Sequence, residues 1–119
     1  MTQRQKSRES NEPYYDMSDD WSLIVASFQS QYGIRLSQEL KNMSFREFAY
    51  FINGFGSDTP LGQIVSIRAE KDPEALKNFT PEQKRIRSEY LQKIAKRKPK
   101  EEVDSVIEQF KQAFIQLAE

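Results

Sequence analysis

Residues 59–81 read TPLGQIVSIRAEKDPEALKNFTP, and this stretch contains three successive helix starts. Each start pairs a side chain that can cap a helix with a proline at the first helical position: Thr59-Pro60, Asp72-Pro73 and Thr80-Pro81. The cap oxygen accepts a hydrogen bond from a free backbone N–H, whereas proline has no N–H to leave unpaired and its fixed φ suits the first turn. The stretch therefore predicts an all-α fold, a single domain of four to five helices.

The composition is that of one small domain without the usual chemistry of an enzyme. The 119 residues carry 18 basic and 18 acidic side chains, so the net charge is zero and indicates no overall preference for nucleic acid or membranes. Cysteine and histidine are both absent. Their absence excludes disulfides, thiol nucleophiles, the commonest general base and most transition-metal ligands. We therefore expect no enzymatic activity, no cofactor and no metal.

The N-terminal residues 1–17 are rich in Gln, Ser, Arg and Glu, and their bulky apolar side chains are Tyr14, Tyr15 and Met17. Such a composition does not offset the entropy of ordering, so a disordered polar arm is predicted, with the two tyrosines as a candidate anchor on the body. The first twenty residues contain no apolar signal-peptide core, and no segment approaches the ~20 apolar residues of a membrane span. The expected location is the cytoplasm, without membrane contact.

A helical core domain is predicted over residues 18–98. Its first helix begins at Ser18 or Asp19 and carries one apolar stripe that starts at Trp21 and returns every three or four residues. Gly33 follows the stripe and is free to take the left-handed conformation that ends a helix.

Residues 34–43 are predicted to connect the first helix to the second, with a candidate turn at Ser37–Leu40. Ser44 and Glu47 match a capping box, in which the cap and the third residue satisfy each other's backbone N–H groups. The apolar face of the second helix starts at Phe45, and Tyr50 lies away from it. Tyr50 is interpreted either as ordinary exposed surface or as part of a protein-binding surface.

The third helix carries an arginine on its apolar stripe. Arg68 lies seven residues after Leu61, so its guanidinium must reach solvent or pair with a carboxylate. We predict a salt-bridge network that joins this helix to the long helix after it, with Arg68, Glu70, Arg85 and Arg87 as candidate members. The alternative is that these four side chains belong to a protein interface.

The long helix, from Pro81 to about Lys98, concentrates positive charge. Residues 81–100 hold eight basic and two acidic side chains, whereas residues 101–119 hold one basic and five acidic side chains. The two segments are predicted to attract each other weakly within the chain, or to meet partners of opposite charge. Nucleic-acid binding by the basic helix is the alternative from another functional class, although the helix lacks an Asn- or Gln-rich face that would read bases.

Residues 99–119 are predicted to form a hinge and a C-terminal amphipathic helix. Pro99 disfavours helical geometry at Lys98, and a new helix follows over residues 101–118. Its apolar side chains lie within an arc of about 120°, which suits packing on the body, exchange between two copies of the chain, or binding of a partner. The candidate protein-binding residues of the chain are Tyr50, Val103, Ile107, Phe110, Phe114 and Leu117.

Five stretches of the sequence form a set of motifs. They are DWSLI at 20–24, QYGIRL at 31–36, MSFREF at 43–48, TPLGQIVSIRAE at 59–70 and NFTPEQKRIR at 78–87. Together they resemble the gene-product-fifteen family of tailed phages and prophages of Gram-positive bacteria. The resemblance covers about residues 19–92 and leaves the polar arm and the C-terminal helix outside it.

The resemblance implies a role in building the long flexible tail of a phage. Members of the family are similar in size and helical character to tail assembly chaperones, which keep the apolar, helical tape-measure protein soluble until tail-tube subunits polymerise around it. The implied partner is therefore the tape-measure protein, with the tail-tube protein and a second copy of the chain as further partners, in the cytoplasm of the bacterial host. A minor structural tail protein that stays in the virion is the alternative within phage biology.

Overall fold

Seven α-helices make up the part of the chain that the structure describes. This computed structural model describes residues 12–97 and 104–118, and no β-strand occurs among them. The helices are α1 Trp21–Ser27, α2 Leu36–Glu39, α3 Phe45–Asn53, α4 Pro60–Ala69, α5 Pro73–Lys77, α6 Pro81–Ala95 and α7 Asp104–Ala118. The all-α prediction is confirmed, and the short helices α2 and α5 account for the number beyond the four or five expected.

The helices α3 to α6 begin at the caps that the sequence predicts. The side chains of Ser44, Thr59, Asp72 and Thr80 each accept a backbone N–H from the helix that they start, at 2.9–3.4 Å. Thr80 and Gln83 form a reciprocal capping box, in which each side chain bonds the backbone of the other. The three cap–proline pairs therefore start α4, α5 and α6 in quick succession, as expected from local chemistry.

The helix α1 begins later than predicted and ends where predicted. Residues 18–20 form a turn, and the carboxylate of Asp20 pairs with a distant side chain instead of capping the helix, so α1 starts at Trp21. A wider π-helical turn over Phe28–Tyr32 continues α1. Gly33 then ends it with a φ of 68°, which is the left-handed conformation that favours glycine.

An aromatic cluster forms the centre of the core. Phe28 is fully buried, and the ring centroids of Phe48, Phe51 and Phe55 lie 5.4–5.5 Å from its own. Aromatic pairs at such distances add about 0.5–1.5 kcal/mol beyond the area that they bury. The other buried members of this core are Met17, Ile24, Leu36, Leu40, Ile52, Leu61 and Phe114.

The segment predicted as a connection, residues 34–43, is helical over most of its length. The helix α2 continues into a 3₁₀ turn over Leu40–Asn42. Leu36 and Leu40 are 0% and 4% exposed, and their i, i+4 spacing places both on the face that meets the core. The prediction placed only a candidate turn at Ser37–Leu40, because so short a segment carries too little periodicity to distinguish a helix from a loop.

The helix α4 lies between α1 and α6. It is joined to α1 by the buried hydroxyl of Ser27, which accepts the backbone N–H of Leu61 at 2.9 Å. This N–H belongs to the first turn of α4 and has no partner inside its own helix. The side chain of α1 therefore completes the start of α4.

Candidate protein-binding site

Residues 12–17 form a strap that leads into α1. The sequence assigns them to a disordered arm, yet Met17 is 2% exposed within the core and Tyr15 packs against that core. Burial raises the pKa of Tyr15 to about 12, because the phenolate would carry its charge in apolar surroundings. The prediction of a disordered arm is therefore corrected for residues 12–17, while residues 1–11 lie outside the described residues.

The helix α7 rests on the body through two phenylalanines that are one turn apart. Phe114 is 7% exposed, and its ring centroid lies 5.3 Å from that of Phe45 and 5.0 Å from that of Phe48. Phe110 packs on Tyr15 of the strap, with 5.3 Å between the centroids. We call the side chains of Tyr15, Phe45 and Phe48 the docking face, because together they receive α7.

Two of the predicted protein-binding residues therefore contact other residues of the same chain. Phe110 is half-buried and Phe114 is buried against the docking face. Of the open alternatives for the C-terminal helix, the structure shows packing on the body. The predicted hinge at Lys98-Pro99, the residue Val103 and the side chain of Ile107 lie outside what the structure describes.

The exposed candidates lie on different helices. Tyr50 projects from α3 with 68% of its surface exposed, and Leu117 on α7 is 39% exposed. Ile115, which the sequence analysis did not select, is 50% exposed on the same helix. At about 100° of rotation per residue, Leu117 lies on the same side of α7 as Phe110 and Phe114, whereas Ile115 projects away from that side.

The carboxylate that pairs with Arg68 belongs to Asp20. Nη1 and Nη2 of Arg68 donate to the two carboxylate oxygens at 2.9 and 3.1 Å, and the two side chains are 14% and 7% exposed. Nη1 also donates to the carbonyl of Tyr14 at 3.1 Å, and the guanidinium lies 4.6 Å from the centre of the Tyr90 ring. The side chain of Arg68 thus joins α4 to the start of α1, to the strap and to α6.

The other three members of the predicted network make separate contacts. Arg87 joins α6 to the end of α4, but its Nε donates to the main-chain carbonyl of Glu70 at 3.0 Å. The Glu70 carboxylate instead accepts two N–H groups of the loop that follows. Arg85 pairs with Glu82 and Glu89 of its own helix. The prediction of a single salt-bridge network is therefore wrong. The Glu70 carboxylate and the Arg85 guanidinium instead bind groups that are nearer to them in the sequence.

Part of the positive charge of α6 faces the strap and the turn after it. Lys93 forms ion pairs with Asp16, at 3.3 Å, and with Asp19. Arg97 pairs with Glu12 at 2.9 Å. The sequence predicts attraction between α6 and the acidic C-terminal segment, whereas the partners described for these two cations precede α1.

The ion pairs shift the acidity of both partners. Burial alone would raise the pKa of Asp16, but the N–H of Asp19 and the ammonium of Lys93 outweigh burial and hold this pKa below its usual range. Burial would also lower the pKa of Lys93, yet Asp19 and Asp16 together hold it above its usual value. Both groups are charged at neutral pH, so this part of the charge of α6 is balanced within the chain.

An apolar groove lies next to the docking face. Its volume is about 260 Å³, and its lining includes Pro13 and Tyr15 of the strap, Ile52 and Phe55 of the α3 region, and Val65 of α4. Sites for small molecules usually enclose ~300–1,000 Å³. The smaller volume and the apolar lining suit a large side chain of a protein partner.

The candidate site consists of the docking face, the strap and this groove. Among the side chains that the structure describes, no three His, Cys, Asp or Glu residues are grouped so that they would hold a metal ion. Among the same residues, no helix combines the length and the apolar character that crossing a bilayer requires.

A family model described as Bacteriophage Gp15 protein matches residues 1–109. The match extends beyond the residues 19–92 that carry the resemblance in sequence, so it takes in the strap and residues 104–109 of α7. A comparison with curated proteins gave no match, and a comparison with solved structures gave none. Because the family model covers most of its length, the chain belongs to the bacteriophage Gp15 protein family.

Proposed function

We propose that this protein is a non-enzymatic tail assembly chaperone that binds the phage tape-measure protein in the cytoplasm of the host. Membership of the Gp15 family supports a phage role, and the resemblance of its motifs points to tail morphogenesis. One structural observation carries the proposal: the chain already holds an amphipathic helix on an aromatic face through Phe110 and Phe114. In the proposal, a helix of the tape-measure protein uses this same face.

The proposed mechanism is the exchange of one amphipathic helix for another. Recognition of a helix in an apolar groove depends on anchor side chains spaced i, i+4 along one side, and Phe110 and Phe114 have this spacing. A client helix with large apolar side chains at the same interval would displace α7 and take over its contacts with the docking face. The groove beside Tyr15 would receive a further apolar side chain of the client.

Displacement of α7 is favoured by the narrow strip through which it packs. Its described contacts with the core come from Phe110, Ala113 and Phe114, while Ile115 and Leu117 are substantially exposed. A helix of this length is marginal in water without such packing, so a client competes against a few side-chain contacts. We assign the exposed side chain of Ile115 to contact with the tail-tube protein or a second copy of the chain.

Co-expression with the tape-measure protein of the same phage tests the proposal. We expect recovery of soluble tape-measure protein with nuclease present and at high salt, because salt does not screen an apolar contact. Phe45→Ala should lower the recovery, since it removes part of the docking face. Phe110→Ala should raise it, because that change weakens the competing helix. Arg85→Glu is the control and should leave the recovery unchanged, since the ion pairs of Arg85 lie within α6.

Other outcomes would overturn the proposal in favour of a named alternative. Loss of recovery in Tyr50→Ala but not in Phe45→Ala would move the contact to the exposed side of α3. Recovery of nucleic acid alone, lost as salt rises, would replace the chaperone by a nucleic-acid-binding protein that uses α6. Finding the chain in purified virions, with no association with free tape-measure protein, would indicate a structural tail protein.

A further inference from the structure

The strap contacts α6 through charge and α7 through an aromatic ring. Glu12 pairs at 2.9 Å with Arg97, which lies two residues after the end of α6. Tyr15 belongs to the docking face and packs on Phe110 of α7. Two residues separate Glu12 from Tyr15, and one of them is a proline with a fixed φ. The ionic end and the aromatic end of the strap are therefore joined by a short connection with restricted backbone freedom.

A second ionic contact lies on the other side of Tyr15. Asp16 follows Tyr15 directly and pairs with Lys93 of α6. Tyr15 thus lies against Phe110 between two ionic attachments, one to Lys93 of α6 and one to Arg97 just after that helix. The position of Tyr15, one of the three side chains of the docking face, therefore depends on charged residues that lie outside that face.

The strap also contains a residue in an unfavourable backbone conformation. Tyr14 has a φ of 63°, in the left-handed region that bulky L-residues seldom adopt. Arg68 donates to its carbonyl at 3.1 Å, and its ring packs on that of Tyr90 with 6.0 Å between the centroids. A strained residue persists while the surrounding contacts hold it. Loss of the contacts with α6 would therefore favour release of the strap.

We infer that the strap is a latch that regulates access to the docking face. When Glu12 leaves Arg97 and Asp16 leaves Lys93, Tyr15 moves away from Phe110 and α7 loosens, which opens Phe45 and Phe48 to a client. The regulatory meaning rests on the proposed chaperone function. The coupling between the strap and α7 is a property of the free chain and is testable without a client.

The exposure of the ion pairs makes the latch sensitive to ionic strength. The side chains of Lys93 and Asp16 are 42% and 31% exposed, and those of Arg97 and Glu12 are 28% and 15% exposed. Salt screens such pairs, with a screening length of about 8–10 Å near physiological ionic strength. The contact of Phe114 with Phe45 and Phe48 is apolar and is not weakened in this way. Rising salt should therefore open the strap first.

Hydrogen exchange in the free, full-length protein tests the latch. Arg97→Glu sets two carboxylates against each other, and we expect exchange of the amides at residues 108–117 to become roughly fivefold faster. Exchange at Ile24 in α1 should stay at the wild-type rate. Arg85→Glu changes the net charge equally on the same helix, away from the strap, and should leave the exchange of α7 unchanged. The charge swap Glu12→Arg with Arg97→Glu should restore protection.

Two results would overturn the inference. If Arg97→Glu accelerates exchange in the strap but not in α7, the strap moves independently of that helix. If α1 and α7 accelerate equally, the variant lowers global stability and does not release α7. A salt titration of the wild-type protein repeats the test without a substitution, and α7 should again lose protection before α1.

The latch and the chaperone function can fail separately. Faster exchange of α7 in Arg97→Glu, with no recovery of tape-measure protein in any variant, would support the latch and overturn the proposed function. Recovery that rises in Phe110→Ala, with α7 exchange unaffected by Arg97→Glu, would support the proposed function and overturn the latch.

Discussion

Arg68 and Asp20, which are 48 residues apart in the sequence, meet in a two-point ion pair between α4 and the start of α1. The same carboxylate accepts the backbone N–H of Asp16 at 2.8 Å. A bidentate pair of this kind fixes orientation as well as distance. The pair therefore sets the point from which the strap leaves α1 and reaches the docking face.

Removal of the Asp20 carboxylate should destabilise the fold strongly. In Asp20→Ala, the guanidinium of Arg68 stays largely buried without its counter-charge, and such a loss costs about 3–5 kcal/mol. Urea denaturation followed by the fluorescence of Trp21 measures the change. Asp19→Ala is the matched control, and because its carboxylate is 64% exposed we expect a loss below ~1 kcal/mol. Equal losses of stability in the two variants would show that the buried pair of Asp20 and Arg68 contributes no more than the exposed carboxylate of Asp19.

Loss of the Ser27 hydroxyl should destabilise the fold, although the group is small. Its Oγ accepts the N–H of Leu61 at 2.9 Å and donates to the carbonyl of Leu23 at 2.7 Å inside the core. Ser27→Ala leaves that N–H buried without a partner, which should lower the free energy of unfolding by about 1–3 kcal/mol. Ser30→Ala, on the exposed side, should change it by less than ~0.5 kcal/mol. Thermal denaturation compares the stability of the two variants. Unchanged stability of Ser27→Ala would contradict a stabilising role for the hydrogen bond between α1 and α4.

A methyl group at Gly62 should disrupt the start of α4. An added Cβ would overlap the carbonyl oxygen of Gly56 and lie 3.0 Å from the Cα of Ser57. Because both are backbone atoms, we expect Gly62→Ala to cost about 2–3 kcal/mol, despite the better helix propensity of alanine. Gly33→Ala meets no atom within 4 Å but keeps a φ of 68°, so it should cost ~1–2 kcal/mol. Denaturation monitored by circular dichroism ranks the two, and the reverse order would contradict this packing.

Two neighbouring positions on α7 should respond differently to a carboxylate. Phe114→Asp puts a charge among Phe45 and Phe48, and we expect either a loss of several kcal/mol, about 3 or more, or no folding. Ile115→Asp places the same charge at a half-exposed site and should change stability by less than ~0.5 kcal/mol. Chemical denaturation and size-exclusion chromatography measure stability and self-association together. Normal stability of Phe114→Asp with lost self-association would indicate an intermolecular site instead.

The pair of Asp16 and Lys93 should make stability sensitive to acid. Although burial opposes it, the N–H of Asp19 and the ammonium of Lys93 hold the pKa of Asp16 below its ordinary value of 3.8 in the folded chain. The carboxylate therefore stabilises the fold above pH 3.8, and its contribution is lost as pH falls through the lower folded pKa. We expect the stability difference between wild type and Asp16→Asn to shrink below pH 3.8 in urea denaturation. A difference that stays constant with pH would show that the charge contributes nothing.

Helix boundaries are well predicted where their chemistry is local. Thr59, Asp72 and Thr80 cap helices in the structure because the oxygen and the N–H that it accepts lie within three residues of each other. Gly33 ends α1 for a similar reason, since the left-handed conformation belongs to a single residue. The exposure of Tyr50 also follows from helical spacing alone.

Short elements and the strap are poorly predicted because their order comes from distant groups. Residues 12–17 are too polar to order themselves. They pack because Lys93 of α6 and Arg97 just after it form ion pairs with them, and because Met17 is buried in the core. The helix α2 is four residues long and is stabilised through Leu36 and Leu40 in the core. Composition and periodicity describe a segment by itself, and they do not show which surface of the folded protein it will pack against.

The all-α class, the cap positions and the amphipathic character of α7 follow from the amino-acid sequence, since each depends on residues within one or two helical turns. Which residues pair with the charged and aromatic side chains was decided only by the tertiary structure. Arg68 pairs with Asp20 and not within the predicted network, and Phe114 packs on Phe45 and Phe48 of the same chain. A guanidinium or a phenyl ring fits many partners of the right chemistry, and the packing of helices distant in sequence selects one of them.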